Sequence, residues 1–225
     1  MKKIALALVA LGLLSSMALL KIKLYPKVNE TIKVLTGEFS KIPEDRKVVL
    51  KKIALFIENK SKANTSAELV FICNHNSRRS HISQIWSSVA AAYYEVPNVN
   101  SYSGGVESGA FSNRAVKALQ DVGFEIEKKS DATNPVYEVR FSDEAPPIKS
   151  YSKKYNAGDN PKKGFAAIKL DKVIPTVLGA EESILMPYDD PKLSDGTEWE
   201  EAVYNERVRQ IGREILYAFS LVKKK

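Results

Sequence analysis

A short apolar run that passes through a polar loop into a helical pattern constrains this chain more than any other stretch. Leu69 to Ile72 is rich in β-branched and aromatic residues, which is typical of a buried strand. The run ends at Cys73, the only cysteine of the chain. Beyond a polar, basic loop, apolar residues from Ile82 to Val89 recur at the spacing of one helix face. The pattern predicts strand, loop and helix, the unit from which parallel α/β sheets are built.

The loop between this strand and this helix has the composition of an oxyanion-binding loop. Five residues separate Cys73 from Arg79, and Ser80 follows as the predicted N-cap of the helix, which gives the spacing C-x5-R-S. Backbone N–H groups in such a loop and the helix N-terminus both favour a bound tetrahedral anion. Arg79 can add two parallel hydrogen bonds to the anion, and the same positive charge stabilises a thiolate at Cys73. Such a thiolate can attack phosphorus in line.

The segment C-N-H-N-S-R-R-S resembles the phosphate-binding loop of low-molecular-weight protein tyrosine phosphatases and of the thioredoxin-coupled arsenate reductases of the same fold. Two later segments resemble the same family in the family's order: Ser103 to Leu119, with its G-G-V-E strand end and following helix, and Tyr188 to Pro191, the acid loop. The resemblance covers roughly Glu68 to Phe219. It implies an α/β fold with three αβα layers and a central, mostly parallel four-stranded sheet.

The resemblance also implies the catalytic roles. Cys73 is the implied nucleophile, and Arg79 is the implied phosphate-binding arginine. Asp190 is the implied general acid, which protonates the leaving group as the ester bond breaks. Its neighbour Asp189 is the weaker candidate, because the family places the acid immediately before Pro191.

The remaining loop residues are expected to surround the bound phosphate. Asn76 matches the family asparagine that keeps the loop ready for an anion, and the matching serine at Ser80 donates to the thiolate. Arg78 stands where many relatives have no basic residue, so it is expected to face outward, and His75 stands where relatives often have glycine. The predicted phosphate-binding residues are Asn74, His75, Asn76, Ser77, Arg78 and Ser80.

The cysteine count separates the two activities of the family. The reductases need two further cysteines before the acid loop to form a migrating disulfide, and the matching segment from Ile168 to Pro175 contains none. The sequence therefore favours a phosphomonoester hydrolase of the protein tyrosine phosphatase type, acting through a phosphocysteine. One alternative is arsenate reduction with an external thiol, and a second is an oxyanion-binding module that has lost catalysis.

No metal, cofactor or nucleic acid is expected. His75 and His81 are the only histidines, and no H-x-x-H, C-x-x-C or glycine-rich nucleotide motif occurs. The formal charge of +7 comes from scattered basic residues rather than from a stripe interleaved with aromatic residues. The expected ligand is a phosphate ester or another oxyanion, and the oligomeric state is not predicted.

The N-terminal region has the features of a leader. Basic residues at Lys2 and Lys3 precede an apolar run that reaches Leu20, and the small residues Ser16 and Ala18 predict cleavage after Ala18. The leader predicts export to the periplasm, or an uncleaved membrane anchor that leaves the chain facing the periplasm. The predicted parts are a leader over residues 1–20, a helical extension over residues 21–62 and a phosphatase-like domain over residues 63–225. Two apolar stripes predict two helices in the extension, which either pack on the phosphatase-like domain or mediate dimerisation.

Three more segments have strand patterns, at residues 98–103, 134–140 and 165–170. Between the last two lies a polar loop, Ser150 to Gly164, whose length predicts a lid over the site. Its Tyr151 and Tyr155 could stack on an aryl leaving group.

Overall fold

A computed structural model describes residues 22–223, so the leader predicted for residues 1–20 lies outside the described residues. The helices are α1 (Pro26–Gly37), α2 (Glu44–Lys62), α3 (Arg79–Tyr93), α4 (Asn113–Asp121) and α5 (Glu200–Ser220). The strands are β1 (Ala67–Cys73), β2 (Val99–Gly105), β3 (Glu125–Lys128), β4 (Tyr137–Arg140), β5 (Ile148–Ser150), β6 (Phe165–Lys169) and β7 (Ala180–Leu185). Among the helices of residues 22–223, none is both long enough and apolar enough to cross a membrane.

The main sheet has the strand order β2-β1-β6-β7, and every neighbouring pair is parallel. The prediction of an α/β fold around a parallel four-stranded sheet is therefore confirmed. Strand β1 lies inside the sheet, and its residues from Leu69 to Ile72 have no exposed surface, as expected of a strand covered on both faces. Because β1 ends at Cys73, the thiol lies at the carboxyl edge of the sheet, where α/β proteins bind their ligands.

The two faces of the sheet are covered differently. Leu69 and Phe71 belong to the large hydrophobic cluster that contains residues of all five helices. Val70 and Ile72 point the other way, into a smaller cluster whose described members lie in strands and loops, including Ile174. The third layer of the predicted αβα arrangement is thus built from loops around this smaller cluster.

The segment at residues 134–140 was expected as a strand of the main sheet, and this expectation is wrong. Strand β4 pairs antiparallel with β3 and β5 in a separate three-stranded sheet, and the fourth strand of the main sheet is β7. The physical reason is visible in the side chains of β4. Buried Tyr137 and Val139 alternate with half-buried Glu138 and Arg140, which is typical of an antiparallel strand with one wet face.

The extension folds as the two predicted helices, α1 and α2, and both pack against α5. Val28, Ile32 and Leu35 of α1 have no exposed surface and belong to the large cluster under the sheet. From α2, Arg46 donates to Glu214 of α5 through Nε over 2.7 Å. The extension therefore contributes to the same core as the sheet.

Candidate active site

The thiol of Cys73 lies at the base of the loop, 3% exposed, with Sγ 3.1 Å from the hydroxyl oxygen of Ser80. The expectation that Ser80 caps α3 is wrong, because the helix begins at Arg79 and Ser80 lies in its first turn. In that position the hydroxyl faces the thiol rather than the free N–H groups of the helix end. Ser80 is thus placed to donate to a thiolate.

Asn76 fixes the shape of the loop. Its backbone adopts φ +43°, in the left-handed region that asparagine tolerates better than most residues. The buried side chain donates from Nδ2 to Ser80 Oγ over 2.8 Å and accepts at Oδ1 from the N–H of Lys153 over 2.8 Å. The amide therefore connects the loop to the start of α3 and to the segment beneath it.

Four backbone carbonyl groups of the loop accept hydrogen bonds from residues outside the loop. Those of Cys73, Asn74 and Ser77 accept backbone hydrogen bonds from Val106, Glu107 and Ser112, and that of His75 accepts from the Ser152 hydroxyl. Within residues 22–223, no acceptor is recorded for the backbone N–H groups of residues 74–78. A loop with its carbonyls turned outward and its N–H groups unpaired suits an anion.

Gly105 lets strand β2 approach the loop. A Cβ at this glycine would lie 2.1 Å from the carbonyl oxygen of Glu107 and 2.7 Å from the backbone nitrogen of Asn76. Both contacts are far closer than a carbon atom can approach. His75, at the position where relatives often have glycine, points its half-exposed ring outward, with Nδ1 3.3 Å from the Glu107 carboxylate.

Arg79 is buried, and both terminal nitrogens of its guanidinium donate hydrogen bonds. Nη1 donates to the carbonyl oxygens of Leu170 and Tyr188, over 3.1 and 2.8 Å. Nη2 donates to Asp171 over 3.1 Å and to Asp190 over 2.9 Å. Nε is buried without a partner among the described residues. Nε and Nη2 form the fork that binds a tetrahedral anion in a bidentate manner.

Asp190 lies at the mouth of the site, with its side chain 25% exposed. Oδ2 accepts from Arg79, and Oδ1 accepts from the N–H of Lys192, at the start of a short 3-10 turn, Pro191–Ser194. The side chain of Asp189 is 93% exposed and does not contact Arg79. Of the two neighbouring acids, Asp190 therefore lies beside Arg79 and Asp189 lies away from it.

Arg78 is the loop residue whose predicted orientation is wrong. It faces inward: Nε donates to the hydroxyl of Tyr204 over 3.0 Å, and Nη1 lies 3.6 Å from Asp190 Oδ1. The partner comes from α5, which passes behind the loop and supplies a buried hydroxyl. Such a contact between residues far apart in the chain leaves no local signal in the sequence.

Asp171 is the site residue that the sequence analysis missed. Its Oδ2 accepts from both Arg79 and Asn74, each over 3.1 Å, so it fixes the arginine and the first loop residue together. A signal was present, because Asp171 follows the apolar run that forms β6 and therefore stands at the same sheet edge as Cys73.

The predicted lid is wrong for the first half of its segment. Lys153 and Tyr155 exchange backbone hydrogen bonds with Gly105, and the ring of Tyr155 packs into the smaller hydrophobic cluster. The hydroxyl of Tyr151 donates to Asp159 instead of facing the loop. This segment supports the loop from below, so neither tyrosine is placed to stack on a leaving group.

His81 is a fully buried residue in the first turn of α3, next to the loop. Burial, reinforced by the charge of Lys153, lowers its pKa to about 3, and the ring stacks on Phe111 at 4.2 Å between centroids. Its Nδ1 lies 3.2 Å from the hydroxyl of Ser103. The residue is therefore neutral at ordinary pH. Among residues 22–223 no group of three or more acidic, histidine or cysteine side chains is arranged to hold a metal ion.

A cleft of about 590 Å³ opens at Arg79, where the loop passes into α3. Its lining includes Arg79, Asp171, Tyr188, Asp190, Leu193 and Arg207. The arrangement offers a thiol below, a guanidinium fork at the side and a carboxyl group at the mouth, which are the groups that transfer of a phosphoryl unit to sulfur requires.

No family model matches the chain, and no curated protein sequence matches it. Solved structures do match. The chain is structurally similar to low-molecular-weight phosphatases and arsenate reductases.

In three of these matches, the aligned region includes nearly the whole of the matching protein. A low-molecular-weight phosphotyrosine phosphatase from Vibrio cholerae O395 is 13% identical, with 68% of this chain and 94% of that chain covered and a TM-score of 0.47. A mutant of YwlE from Bacillus subtilis is 13% identical, with coverages of 71% and 100% and a TM-score of 0.47. A thioredoxin-dependent arsenate reductase from Corynebacterium glutamicum is 16% identical, with coverages of 87% and 98% and a TM-score of 0.39. Identities this low carry no information about activity.

Proposed function

We propose that this chain is a cysteine-dependent phosphomonoester hydrolase of the protein tyrosine phosphatase type. The observation that carries the proposal is the meeting of three groups at one sheet edge. Cys73 ends β1, Arg79 begins α3, and Asp190 is held on the Arg79 guanidinium at 2.9 Å. Hydrolysis needs a nucleophile, an anion-binding fork and an acid, and these three residues supply them.

The first step is attack by the thiolate of Cys73 on phosphorus. The phosphoryl oxygens bind the loop N–H groups and the Nε–Nη2 fork of Arg79, so the substrate takes the place of Asp190 on Nη2. The S–P bond forms while the P–O ester bond breaks, and Asp190 gives its proton to the leaving oxygen. Ser80 donates to the sulfur, which favours the ionised thiol before attack.

The second step regenerates the free enzyme by hydrolysis of the phosphocysteine. A water molecule attacks phosphorus and gives a proton to Asp190, the S–P bond breaks, and inorganic phosphate leaves with Cys73 again a thiolate. This route consumes no electrons. Arsenate reduction would need them, and because Cys73 is the only cysteine, a thiol from outside the chain would have to supply them.

The test is release of phenol from phenyl phosphate between about pH 5 and about pH 8. Cys73→Ser should abolish turnover because serine is a far weaker nucleophile. Asp190→Asn should lower kcat for phenyl phosphate by about 10²-fold or more, and less for 4-nitrophenyl phosphate, whose leaving group departs without a proton. Asp131→Asn, at an exposed turn between β3 and β4, is the matched control.

Folded protein without turnover of either ester would contradict the proposal. Reduction of arsenate when a small thiol is added would then favour the reductase. Protection of Cys73 from alkylation by phosphate, with neither reaction, would indicate an oxyanion-binding module.

We also propose that the chain is exported or anchored facing the periplasm, on the basis of its leader pattern. Fractionation of cells that express the full chain tests this proposal. Recovery in the cytoplasm with the N-terminal sequence intact would contradict it.

A further inference from the structure

A second guanidinium lines the cleft beside the one that we assign to the phosphoryl group. Arg207, on α5, has a side chain that is only 14% exposed and forms part of the cleft wall. Its Cζ lies 6.0 Å from the ring centroid of Tyr188. The carbonyl oxygen of Tyr188 accepts from Arg79. The two arginines thus flank a single residue, on the same cleft.

Arg207 is poorly neutralised in comparison with its neighbours. Its nearest carboxylate oxygen is Asp189 Oδ2 at 3.7 Å, on a side chain that is 93% exposed. By contrast, Arg46 and Arg213 have carboxylate oxygens at 2.7 and 2.9 Å. The Nε of Arg207 is buried without a partner in the described part of the chain, as is the Nε of Arg213, so the difference between these arginines lies in their counter-ions. An exposed, loosely held counter-ion screens a half-buried charge only weakly.

Neighbouring side chains fix the position of the Arg207 guanidinium, but its Nε remains without a hydrogen-bond partner among the described residues. Nη1 donates to Gln210 Oε1, and the Gln210 amide in turn donates to Glu214 over 3.2 Å. Burial lowers the pKa of Arg207, and the charge of Arg79 acts in the same direction. Holding two guanidinium groups close together beside one cleft costs free energy that a bound anion offsets.

We propose that Arg207 forms a second anion subsite, which binds a carboxylate or phosphate on the leaving-group side of the substrate. The proposal rests on the proposed function, because it places the phosphoryl group of the same substrate on the Cys73 loop. It names the substrate class as phosphomonoesters that carry a second acidic group. Gln210 positions Arg207, and Asp189 is the counter-ion that the second acidic group displaces.

Binding of non-hydrolysable analogues by the full chain tests the subsite separately from turnover. The probes are 3- and 4-carboxybenzylphosphonate, each compared by calorimetry with its neutral carbamoyl isostere. The better carboxylate should bind about tenfold more tightly than its isostere, as one charge-assisted contact provides. Arg207→Gln should reduce this ratio to about one, and Arg207→Lys should retain part of it.

Two further variants check the assignment. Arg209→Gln is the matched control, because Arg209 lies on the same helix, pairs with Glu38 at 3.6 Å and does not line the cleft. It should keep the ratio. Asp189→Asn should increase the ratio, because it removes the competing carboxylate. The subsite would be overturned if Arg207→Gln kept the wild-type ratio of affinities for the carboxylate and its carbamoyl isostere.

The outcomes also separate the two proposals. Hydrolysis of phenyl phosphate together with a wild-type ratio of one overturns the subsite and leaves the hydrolase intact. A tenfold ratio without hydrolysis of any ester upholds the subsite and overturns the hydrolase. Failure of both phosphonates to bind overturns the subsite as well, since it requires a phosphoryl group on the loop.

Discussion

At the scale of single residues, His81 has the clearest dependence on pH. Its pKa in the folded chain is about 3 because the ring is buried, and an unfolded histidine titrates near 6.5. Between these values the unfolded chain binds one more proton than the folded chain. The stability that neutral His81 provides is therefore complete above about pH 6.5 and is lost as the pH falls towards 3.

We expect the free energy of unfolding to fall by up to about 1.4 kcal/mol for each pH unit in that window, on account of His81 alone. His81→Gln should remove this part of the slope, because glutamine does not titrate. Urea unfolding at several pH values between about 4 and about 7 measures the difference between the two proteins. The same slope in both would contradict the buried neutral state of His81.

Single residues also mark where sequence reasoning succeeds. Cys73 and Arg79 belong to one short spacing, and Asp190 stands before a proline, so a local pattern identifies each of them. Arg207 has no such pattern, and Asp171 is marked only by its place after the apolar run of β6. Both reach the site because distant segments pack there, and neither belongs to a short spacing motif.

At the scale of elements, the junction between β2 and the loop depends on Gly105. A methyl group there would meet the backbone of Glu107 and Asn76 at 2.1 and 2.7 Å, so strand or loop must move. Gly105→Ala should therefore destabilise the chain by about 1–3 kcal/mol and weaken phosphate binding severalfold. Thermal unfolding and competitive inhibition by phosphate measure the two effects.

Gly158→Ala is the control for this substitution. It lies in the segment that supports the loop, but a Cβ there meets no atom within 4 Å. It should change neither property beyond about 0.5 kcal/mol. Equal effects of the two substitutions would show that the close approach of β2 to the loop has no energetic importance.

Elements were predicted best where their patterns are long. Helix α3, the two helices of the extension and strand β1 follow from periodicity alone. Strand β4 was placed in the wrong sheet, because alternation identifies a strand but not its partner. The polar sequence of residues 150–164 predicts a lid, because it carries no sign that Gly105 donates to the carbonyl of Lys153 and accepts from the N–H of Tyr155.

At the scale of the whole molecule, α1 and α2 belong to the hydrophobic core that also supports the site. Ile32 of α1 has no exposed surface, so Ile32→Ala should cost about 2–5 kcal/mol, as in the interior of a single cooperative unit. Val34, on the same helix and 46% exposed, is the control, and Val34→Ala should stay within about 0.5 kcal/mol.

Calorimetry and the loss of phosphate binding on heating should report one transition for the wild type, and Ile32→Ala should move both together. A separate early transition of the extension, with phosphate binding kept, would mean that α1 and α2 fold independently. Their apolar stripes are compatible with packing on the phosphatase-like domain and with dimerisation. Their contacts with α5 favour packing.

The ion pair between Arg46 and Glu214 has a consequence for the order of events during synthesis. The two residues are 168 positions apart, and Glu214 also accepts from the hydroxyl of Tyr188, whose carbonyl holds Arg79. During synthesis α2 leaves the ribosome before α5, the last helix of residues 22–223, so Arg46 cannot pair with Glu214 until α5 has been made. A nascent chain therefore carries Cys73 long before it has a working acid loop. We expect Arg79 and Asp190 to take their places around the thiol only after α5 has docked, so that unfinished chains lack the hydrolase activity proposed above.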